Sequence, residues 1–370
     1  MRVLHIYRTC YPETKGGLEQ AIRYICKGSS ERGIKNTILT LGQENKEYDF
    51  EGSRIIVIKK DFEISSNGFS FSLVSKFRKL SKSHDIIHYQ YPWPSGDILS
   101  IFSDKKPSLV SYQSDIVKQR LLKKLYYPLE QLFLSRVDRI IASSPQYAQT
   151  SKNLIKHKGK VDIIPLAIDP STYPDLDQNT KVHWETKVGS GFFLFVGVLR
   201  YYKGLQFLLE AAKINQLPVV IAGDGPERES LDIYIRRHKL TNVKMVGFIS
   251  EEDKVALHAL SKAFVFPSHL RSEAFGISLL EAQMYGKPII SSDIGTGSSY
   301  VNINGKTGIT VLPTDAKQLS EAMIKLNNNK ELCEELGNGA SQRFKEHFTE
   351  KMYADSYVSL YHQLIKQNVS

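Results

Sequence analysis

Two glutamates stand eight positions apart where an apolar run gives way to an amphipathic one. The apolar run, residues 263–266, predicts a buried strand, and the periodic segment that starts near Gly276 predicts a helix. Glu273 falls in the loop between them, and Glu281 falls in the second turn of the helix. Carboxylates accept hydrogen bonds from hydroxyl groups, so Glu281 is a candidate to hold a ribose and Glu273 to hold a sugar. The alternative is that both carboxylates only complement the helix dipole or face solvent.

The start of that helix could also bind an anion. The first backbone N–H groups of a helix have no partner within it, and the dipole adds partial positive charge there. Here these groups belong to Phe275, Gly276 and Ile277, and the glycine lets a ligand come close to the backbone. A diphosphate is the ligand that such a site suits.

Two cations and a pair of glycines complete the set of candidates. Arg200 and Lys203 follow the apolar run 192–196, where they could neutralise a departing diphosphate, although cations in such a loop are also often only solvated. Gly16 and Gly17 follow the first predicted strand and would let a phosphate or a sugar approach the backbone; a flexible turn is the alternative.

Other patterns carry little chemistry. The run Gly295-Thr296-Gly297-Ser298-Ser299-Tyr300 only partly matches a dinucleotide-binding fingerprint and lacks its context. Asp175 and Asp177 lie in a polar stretch with no strand before them, so we expect no metal there. Three widely spaced cysteines favour neither disulfides nor a zinc site.

The elements that must position these residues alternate in type. Seven strand candidates between residues 3 and 164, and six between 192 and 312, are separated by helical stretches, which is typical of doubly wound α/β domains. The 370 residues fit two domains, and the polar, proline-containing stretch 165–190 is the expected linker. We therefore predict an N-terminal domain over residues 1–180 and a C-terminal domain over 181–351, facing each other across a cleft. Ligands bind beyond the carboxyl ends of such sheets.

Composition narrows the class of protein. Apolar residues make up 41% and charged residues 24%, as in globular proteins, and no apolar run approaches the length that spans a bilayer. With no signal peptide recognised, we expect a cytoplasmic protein. The net charge of +10 divides into +8 for residues 1–180 (27 basic, 19 acidic) and +2 for the remainder (22 and 20). The basic half suits an anionic surface, or is merely solvated.

The ordered set of these motifs resembles glycosyltransferase family four, the retaining nucleotide-sugar transferases of GT-B fold. The resemblance covers nearly the whole chain. The segments that carry it are Glu273-x7-Glu281 after Pro267-Ser268, Arg200-x-x-Lys203-Gly204, Gly223-Asp224-Gly225-Pro226-Glu227, and Gly16-Gly17-x-Glu19.

The resemblance implies a role for each candidate. Arg200 and Lys203 would hold the diphosphate, Glu281 the ribose and Glu273 the sugar hydroxyls, with Gly16 and Gly17 approaching the donor. Relatives commonly have His, lining the donor sugar, where this chain has Gln113, and many have Arg where it has Val198. A C-terminal helix over about 352–368 is expected to pack back on the N-terminal domain.

Within the family, residues 199–205 and 295–302 look most similar to bacterial mannosyltransferases that build O-antigen or other surface polysaccharide. The function expected is metal-independent, retaining transfer of a hexose from a nucleotide sugar, with GDP-mannose as the implied donor, to a lipid-linked oligosaccharide. No cofactor and no metal are expected. One alternative is another GT-B nucleotide-sugar enzyme with a soluble acceptor. The other is a basic nucleic-acid-binding protein, for which the sequence offers no stacking platform or reading helix.

Peripheral contact with an anionic membrane is a further expectation. Phe71, Leu73, Val74, Phe77 and Leu80 are spaced as an apolar stripe among lysines and an arginine, and residues 116–125 repeat the pattern. The alternative is that both stripes pack on the sheet.

Overall fold

A computed structural model describes residues 1–14, 16–64, 67–103, 106–115 and 120–369. The chain forms two compact units, one of Met1–Ala167 with Glu350–Ser370, and one of Ile168–Thr349. We call them unit 1 and unit 2. The division after Ala167 comes earlier than the sequence-based boundary at 180, and the last helix joins unit 1.

Unit 1 contains a main sheet with strand order β10-β9-β8-β7-β1-β2-β4-β3. Its strands are β1 (Arg2–Ile6), β2 (Lys35–Gly42), β3 (Lys46–Phe50), β4 (Ser53–Lys59), β5 (Phe62–Ile64), β6 (Asn67–Phe69), β7 (Ile86–Tyr91), β8 (Ser108–Tyr112), β9 (Arg139–Ala142) and β10 (Val161–Ile163). Its helices are α1 (Gly17–Glu31), α2 (Phe71–Ser83), α3 (Pro94–Leu99), α4 (Arg120–Arg136), α5 (Pro145–Thr150), α6 (Lys152–Lys156) and, from the end of the chain, α15 (Glu350–Val369). Neighbouring strands are parallel except β3, which runs antiparallel to β4, and β5 and β6 form a separate hairpin.

Unit 2 contains a parallel sheet with strand order β13-β12-β11-β14-β15-β16. Its strands are β11 (Phe193–Val196), β12 (Val219–Ala222), β13 (Val243–Gly247), β14 (Ala263–Phe266), β15 (Ile289–Ser292) and β16 (Gly308–Val311). Its helices are α7 (Gln178–Val188), α8 (Leu205–Asn215), α9 (Arg228–His238), α10 (Glu251–Leu260), α11 (Ile277–Met284), α12 (Gly297–Val301), α13 (Ala316–Asn328) and α14 (Lys330–His347).

The parallel strands are nearly continuous apolar runs because helices cover both faces of each sheet. Every residue of β11, β12 and β14 is buried. The same property made these strands recognisable in the sequence, and the predicted doubly wound α/β class is confirmed in both units.

The C-terminal helix α15 packs in the core of unit 1. Its Tyr353, Tyr357, Leu360, Tyr361 and Leu364 lie in one apolar cluster with residues of β1, α1 and β7. The burial of this face accounts for the assignment of a segment more than 180 residues downstream to the first unit.

Two expectations from the sequence are wrong. The stretch taken as a linker contains α7, which packs on α10, where Trp184 Nε1 donates to Asp253 Oδ1 at 2.7 Å. Most of the predicted apolar stripe of α2 packs in the core, because Leu73, Phe77 and Leu80 are at most 6% exposed; Val74 is partly exposed, and Phe71 is 81% exposed. Of the second predicted stripe, residues 116–119 lie outside the described residues, and only the backbone of residues 120–125 is described. No described helix is long and apolar enough to cross a membrane.

Candidate active site

The loops that carry the unit 2 candidates follow three neighbouring strands. β11 pairs with β14, and β14 pairs with β15, all in parallel. Their carboxyl ends therefore lie at one edge of the sheet, which is where ligands bind in open α/β folds. Arg200 and Lys203 follow β11, Glu273 follows β14, and Gly295 follows β15.

Lys203 and Glu273 are brought into direct contact. The Lys203 ammonium donates to Glu273 Oε2, and the side chains are 11% and 10% exposed. The hydroxyl of Ser268 donates to the same oxygen at 3.2 Å. Lys203 Nζ also lies 4.9 Å from the centroid of the Phe266 ring, a cation–π contact. A largely desolvated ion pair therefore occupies this edge of the sheet.

A glycine and a backbone hydrogen bond bring together the two loops that carry the pair. Gly204 adopts a left-handed conformation with φ of 69°, and a Cβ there would lie 2.1 Å from the carbonyl oxygen of Pro267. His269 N donates to Tyr202 O at 3.0 Å. Glycine is thus required both by its backbone angle and by the close approach of the β14–α11 loop.

The helix that follows Glu273 begins as expected. Gly276, with φ of 92°, precedes the first residue of α11, Ile277. Within the described residues, no hydrogen-bond acceptor is seen for the backbone N–H groups of Phe275, Gly276 and Ile277. These donors remain available to an anion.

Glu281, one turn into α11, has two partners that the sequence analysis missed. Tyr173 Oη donates to Glu281 Oε1 at 2.9 Å, and Lys254 Nζ donates to the same oxygen at 2.7 Å. Lys254 also pairs with Glu251 at 2.8 Å. Although burial favours the neutral amine, the two carboxylates raise the pKa of Lys254, so it stays charged. No short-range motif links Tyr173 to Glu281, which are 108 positions apart.

Arg200 and Arg271 lie on the same set of loops. Arg200 is exposed and precedes the 3-10 turn Tyr201–Lys203. Arg271 was not among the predicted residues; its Nη1 donates to Gly295 O at 3.2 Å and so ties the β14–α11 loop to the loop after β15. Its only signal in the sequence is its position two residues before Glu273.

Unit 1 holds the remaining candidates. Gly16 caps α1 in an extended conformation, with no side-chain hydrogen bond at the cap, and Gly17 is the first helical residue. Gln113 follows β8, and its N–H donates to Tyr91 O at 3.2 Å. Its partly exposed side chain has no hydrogen-bond partner in the described part of the chain.

The weaker motifs have structural roles. Asp177 accepts the N–H of Thr180 at 2.8 Å and caps α7, and Gly297 opens the short helix α12. Among the described residues, no group of three or more His, Cys, Asp or Glu side chains is placed to hold a metal ion.

Sequence comparison identifies the chain's relatives. The profile of Glycosyltransferase Family 4 matches residues 15–172, and that of glycosyl transferases group 1 matches residues 177–343. The D-rhamnosyltransferase WbpZ of Pseudomonas aeruginosa is 46% identical over 94% of this chain and 92% of its own. The O-antigen chain mannosyltransferase C of Escherichia coli is 42% identical over 99% of both chains.

The chain belongs to glycosyltransferase family 4. The predicted enzyme class, a hexosyltransferase, is thereby confirmed. Solved structures confirm the GT-B fold. Sucrose-phosphate synthase from Thermosynechococcus elongatus has a TM-score of 0.80 at 19% identity, covering 99% of both chains. Anabaena HepE in complex with UDP has a TM-score of 0.79 at 16% identity, covering 98% of this chain and 100% of HepE.

Proposed function

We propose that this glycosyltransferase moves a mannosyl unit from GDP-mannose to a lipid-linked oligosaccharide, with retention of configuration and without a metal ion, in the synthesis of O-antigen or a similar polysaccharide. The observation that carries the proposal is the Lys203–Glu273 pair beside the free N–H groups that begin α11. It joins a cation for a diphosphate to a carboxylate for sugar hydroxyls.

The difficult part of the reaction is the departure of the nucleoside diphosphate. Negative charge grows on its oxygens as the bond to the sugar breaks, and fixed positive groups stabilise that charge without reorganising. Arg200 and Lys203 supply two cations, and Phe275, Gly276 and Ile277 supply backbone N–H groups. We propose that these groups stabilise the charge of the departing diphosphate, which a divalent ion does in other enzymes.

The two carboxylates have different tasks. Glu281, oriented by Tyr173 and Lys254, accepts hydrogen bonds from the ribose, while Glu273 accepts them from the donor sugar. Gly16 and Gly17 approach the donor, and Gln113 contacts its sugar with an amide that can both donate and accept. The reaction then needs no nucleophilic side chain, because the acceptor attacks from the face that the diphosphate leaves.

The sugar is mannose or its 6-deoxy form. The mannosyltransferase relative supports mannose, and the D-rhamnosyltransferase relative favours D-rhamnose as a second candidate. D-rhamnose is 6-deoxymannose, so the two donors differ by one hydroxyl. A site that hydrogen-bonds that hydroxyl rejects the sugar that lacks it, whereas an apolar pocket discriminates weakly.

A panel of nucleotide sugars tests the donor. Because a ligand that binds only the folded protein raises its apparent stability, GDP-mannose should raise the melting temperature more than UDP- or ADP-sugars. The proposed donor is wrong if a UDP-sugar gives the largest shift. Retention is checked by the anomeric configuration of the product, and inversion would contradict it.

We also propose that the protein meets its acceptor at an anionic membrane surface. The basic excess of residues 1–180 supports this, as do the exposed Phe71 and the cations of α2, Lys76, Arg78, Lys79 and Lys82. Co-sedimentation should require anionic lipid and weaken with salt and with Lys79→Glu/Lys82→Glu. Equal binding to neutral vesicles, or none to either, would reject the contact.

A further inference from the structure

The loop between β1 and α1 is held by a carboxylate from the helix that it leads into. Glu19 Oε1 accepts the hydroxyl of Thr9 at 2.8 Å and the hydroxyl of Thr14 at 3.0 Å. Thr9 stands near the start of the loop and Thr14 near its end. One carboxylate oxygen therefore joins both sides of the loop that leads to Gly16.

The second carboxylate oxygen lies against the glycine itself. A Cβ on Gly16 would come within 2.3 Å of Glu19 Oε2. The backbone of Gly16, with φ of −116° and ψ of 168°, is open to any residue, so its conformation does not demand glycine. A side chain at position 16 would instead require the Glu19 carboxylate to move from this place.

We propose that Glu19 is a positioning residue, which fixes the β1–α1 loop through Thr9 and Thr14 so that the Gly16–Gly17 backbone meets the donor in one conformation. The inference rests on the proposed donor contact of Gly16 and Gly17. Glu19 does not touch the donor in this scheme. It lies in the first turn of α1, at the positive end of the helix dipole.

We call the contacts of Glu19 with Thr9 and Thr14 the Glu19 clamp; the clamp requires a hydrogen-bond acceptor at position 19 and does not require a charge. Glu19→Gln keeps an oxygen that can accept from both threonines, whereas Glu19→Ala removes it. Thr9→Val/Thr14→Val removes the two donors instead. Because the three residues act as one unit, the triple variant Glu19→Ala/Thr9→Val/Thr14→Val should lose no more activity than Glu19→Ala or Thr9→Val/Thr14→Val. The losses of activity should therefore not multiply.

The test is steady-state kinetics with varied nucleotide sugar. Glu19→Ala and Thr9→Val/Thr14→Val should each raise the donor KM about tenfold with a smaller change in kcat, because the preorganisation of a binding loop is lost. Glu19→Gln should stay within about threefold of the wild type. Glu31→Ala, an exposed glutamate at the end of the same helix, is the matched control and should change nothing.

Two outcomes would overturn the inference. If Glu19→Gln is as impaired as Glu19→Ala, the charge acts directly; if the triple variant shows the product of the two losses, no clamp exists. Failure of the proposed function is separate, because the wild type itself would then be inactive with GDP-mannose, whichever other nucleotide sugar it accepts. In that case, hydrogen exchange over residues 9–14 still decides: it should accelerate in Glu19→Ala and not in Glu19→Gln.

Discussion

Lys203 and Glu273 are 70 positions apart in the sequence, and their side chains form an ion pair that is about nine-tenths buried. The lysine proposed to hold the diphosphate and the glutamate proposed to hold the sugar thus position each other before any ligand arrives. A charge left without its partner in such a place is costly, whereas removal of both charges is often tolerated.

Substitutions of Lys203 and Glu273 should affect the stability of the protein and its activity differently. Lys203→Met and Glu273→Gln each leave one buried charge without its partner, so each should lower the free energy of unfolding by roughly 3 to 5 kcal/mol. The double variant should regain most of that stability while turnover stays very low. Thermal unfolding and kcat measure the two effects, and full activity in the double variant would disprove the assigned roles.

Glu281 should matter for donor binding rather than for turnover. Glu281→Ala removes a charge-assisted acceptor and should weaken binding of the nucleotide sugar by about 1.5 to 3 kcal/mol. Tyr173→Phe removes one orienting hydrogen bond and should cost about 1 kcal/mol or less. Because Lys254 retains Glu251, Glu281→Ala should still fold. Titration calorimetry measures both affinities; wild-type affinity in Glu281→Ala would contradict the assignment.

Chelation should leave the activity intact. EDTA is expected to have no effect on the rate, since the proposed charges for the diphosphate are Arg200, Lys203 and the start of α11. Arg200→Ala should lower kcat/KM more than Lys203→Ala if a bidentate guanidinium contact is made. Loss of activity in EDTA that Mn²⁺ or Mg²⁺ restores would refute the metal-independent scheme.

Gln113→His tests the contact with the donor sugar. The variant should fold like the wild type, because the side chain has no partner within the described residues, and its transfer rate should change. Asn179→His, on the exposed side of α7, serves as a control for the substitution. An unchanged rate would show that the side chain of Gln113 does not reach the sugar.

Two buried histidines should destabilise the protein in acid. Burial lowers the pKa of His5 from 6.5 to about 4 and that of His258 from 6.5 to about 3. As the pH falls below 6.5, the unfolded chain takes up protons that the folded chain refuses, so the free energy of unfolding falls. Each group contributes on the order of 2 to 3 kcal/mol by pH 4.

Urea unfolding from pH 7 to pH 4 checks this dependence. His258→Phe keeps the ring between Phe264 and Tyr285 but cannot be protonated, so the loss of stability with acid should be smaller. Exposed His362→Gln should not alter it. An identical pH slope in His258→Phe and the wild type would mean that folding does not lower the pKa of His258.

The sequence alone predicted the doubly wound class, most strands, the start of α11 and the positions of Glu273, Glu281, Arg200 and Lys203. These are local signals. Apolar runs identify buried parallel strands, and residues just after a parallel strand must lie at the carboxyl edge of the sheet.

Tertiary structure decided which side chains meet. The pairing of Lys203 with Glu273 and the contact of Tyr173 with Glu281 join residues 70 and 108 positions apart, and no periodicity encodes them. From the sequence, the stripe of α2 could face either a membrane or a sheet, because an amphipathic pattern predicts an apolar helix face but does not show what that face contacts. Likewise, the sequence of α7 was interpreted as part of a linker, because its burial depends on contact with α10. The boundary between the units also depends on which parts of the chain pack together. The local sequence pattern determines whether a segment forms a helix or a strand, whereas the residues that the segment contacts depend on the packing of the whole chain.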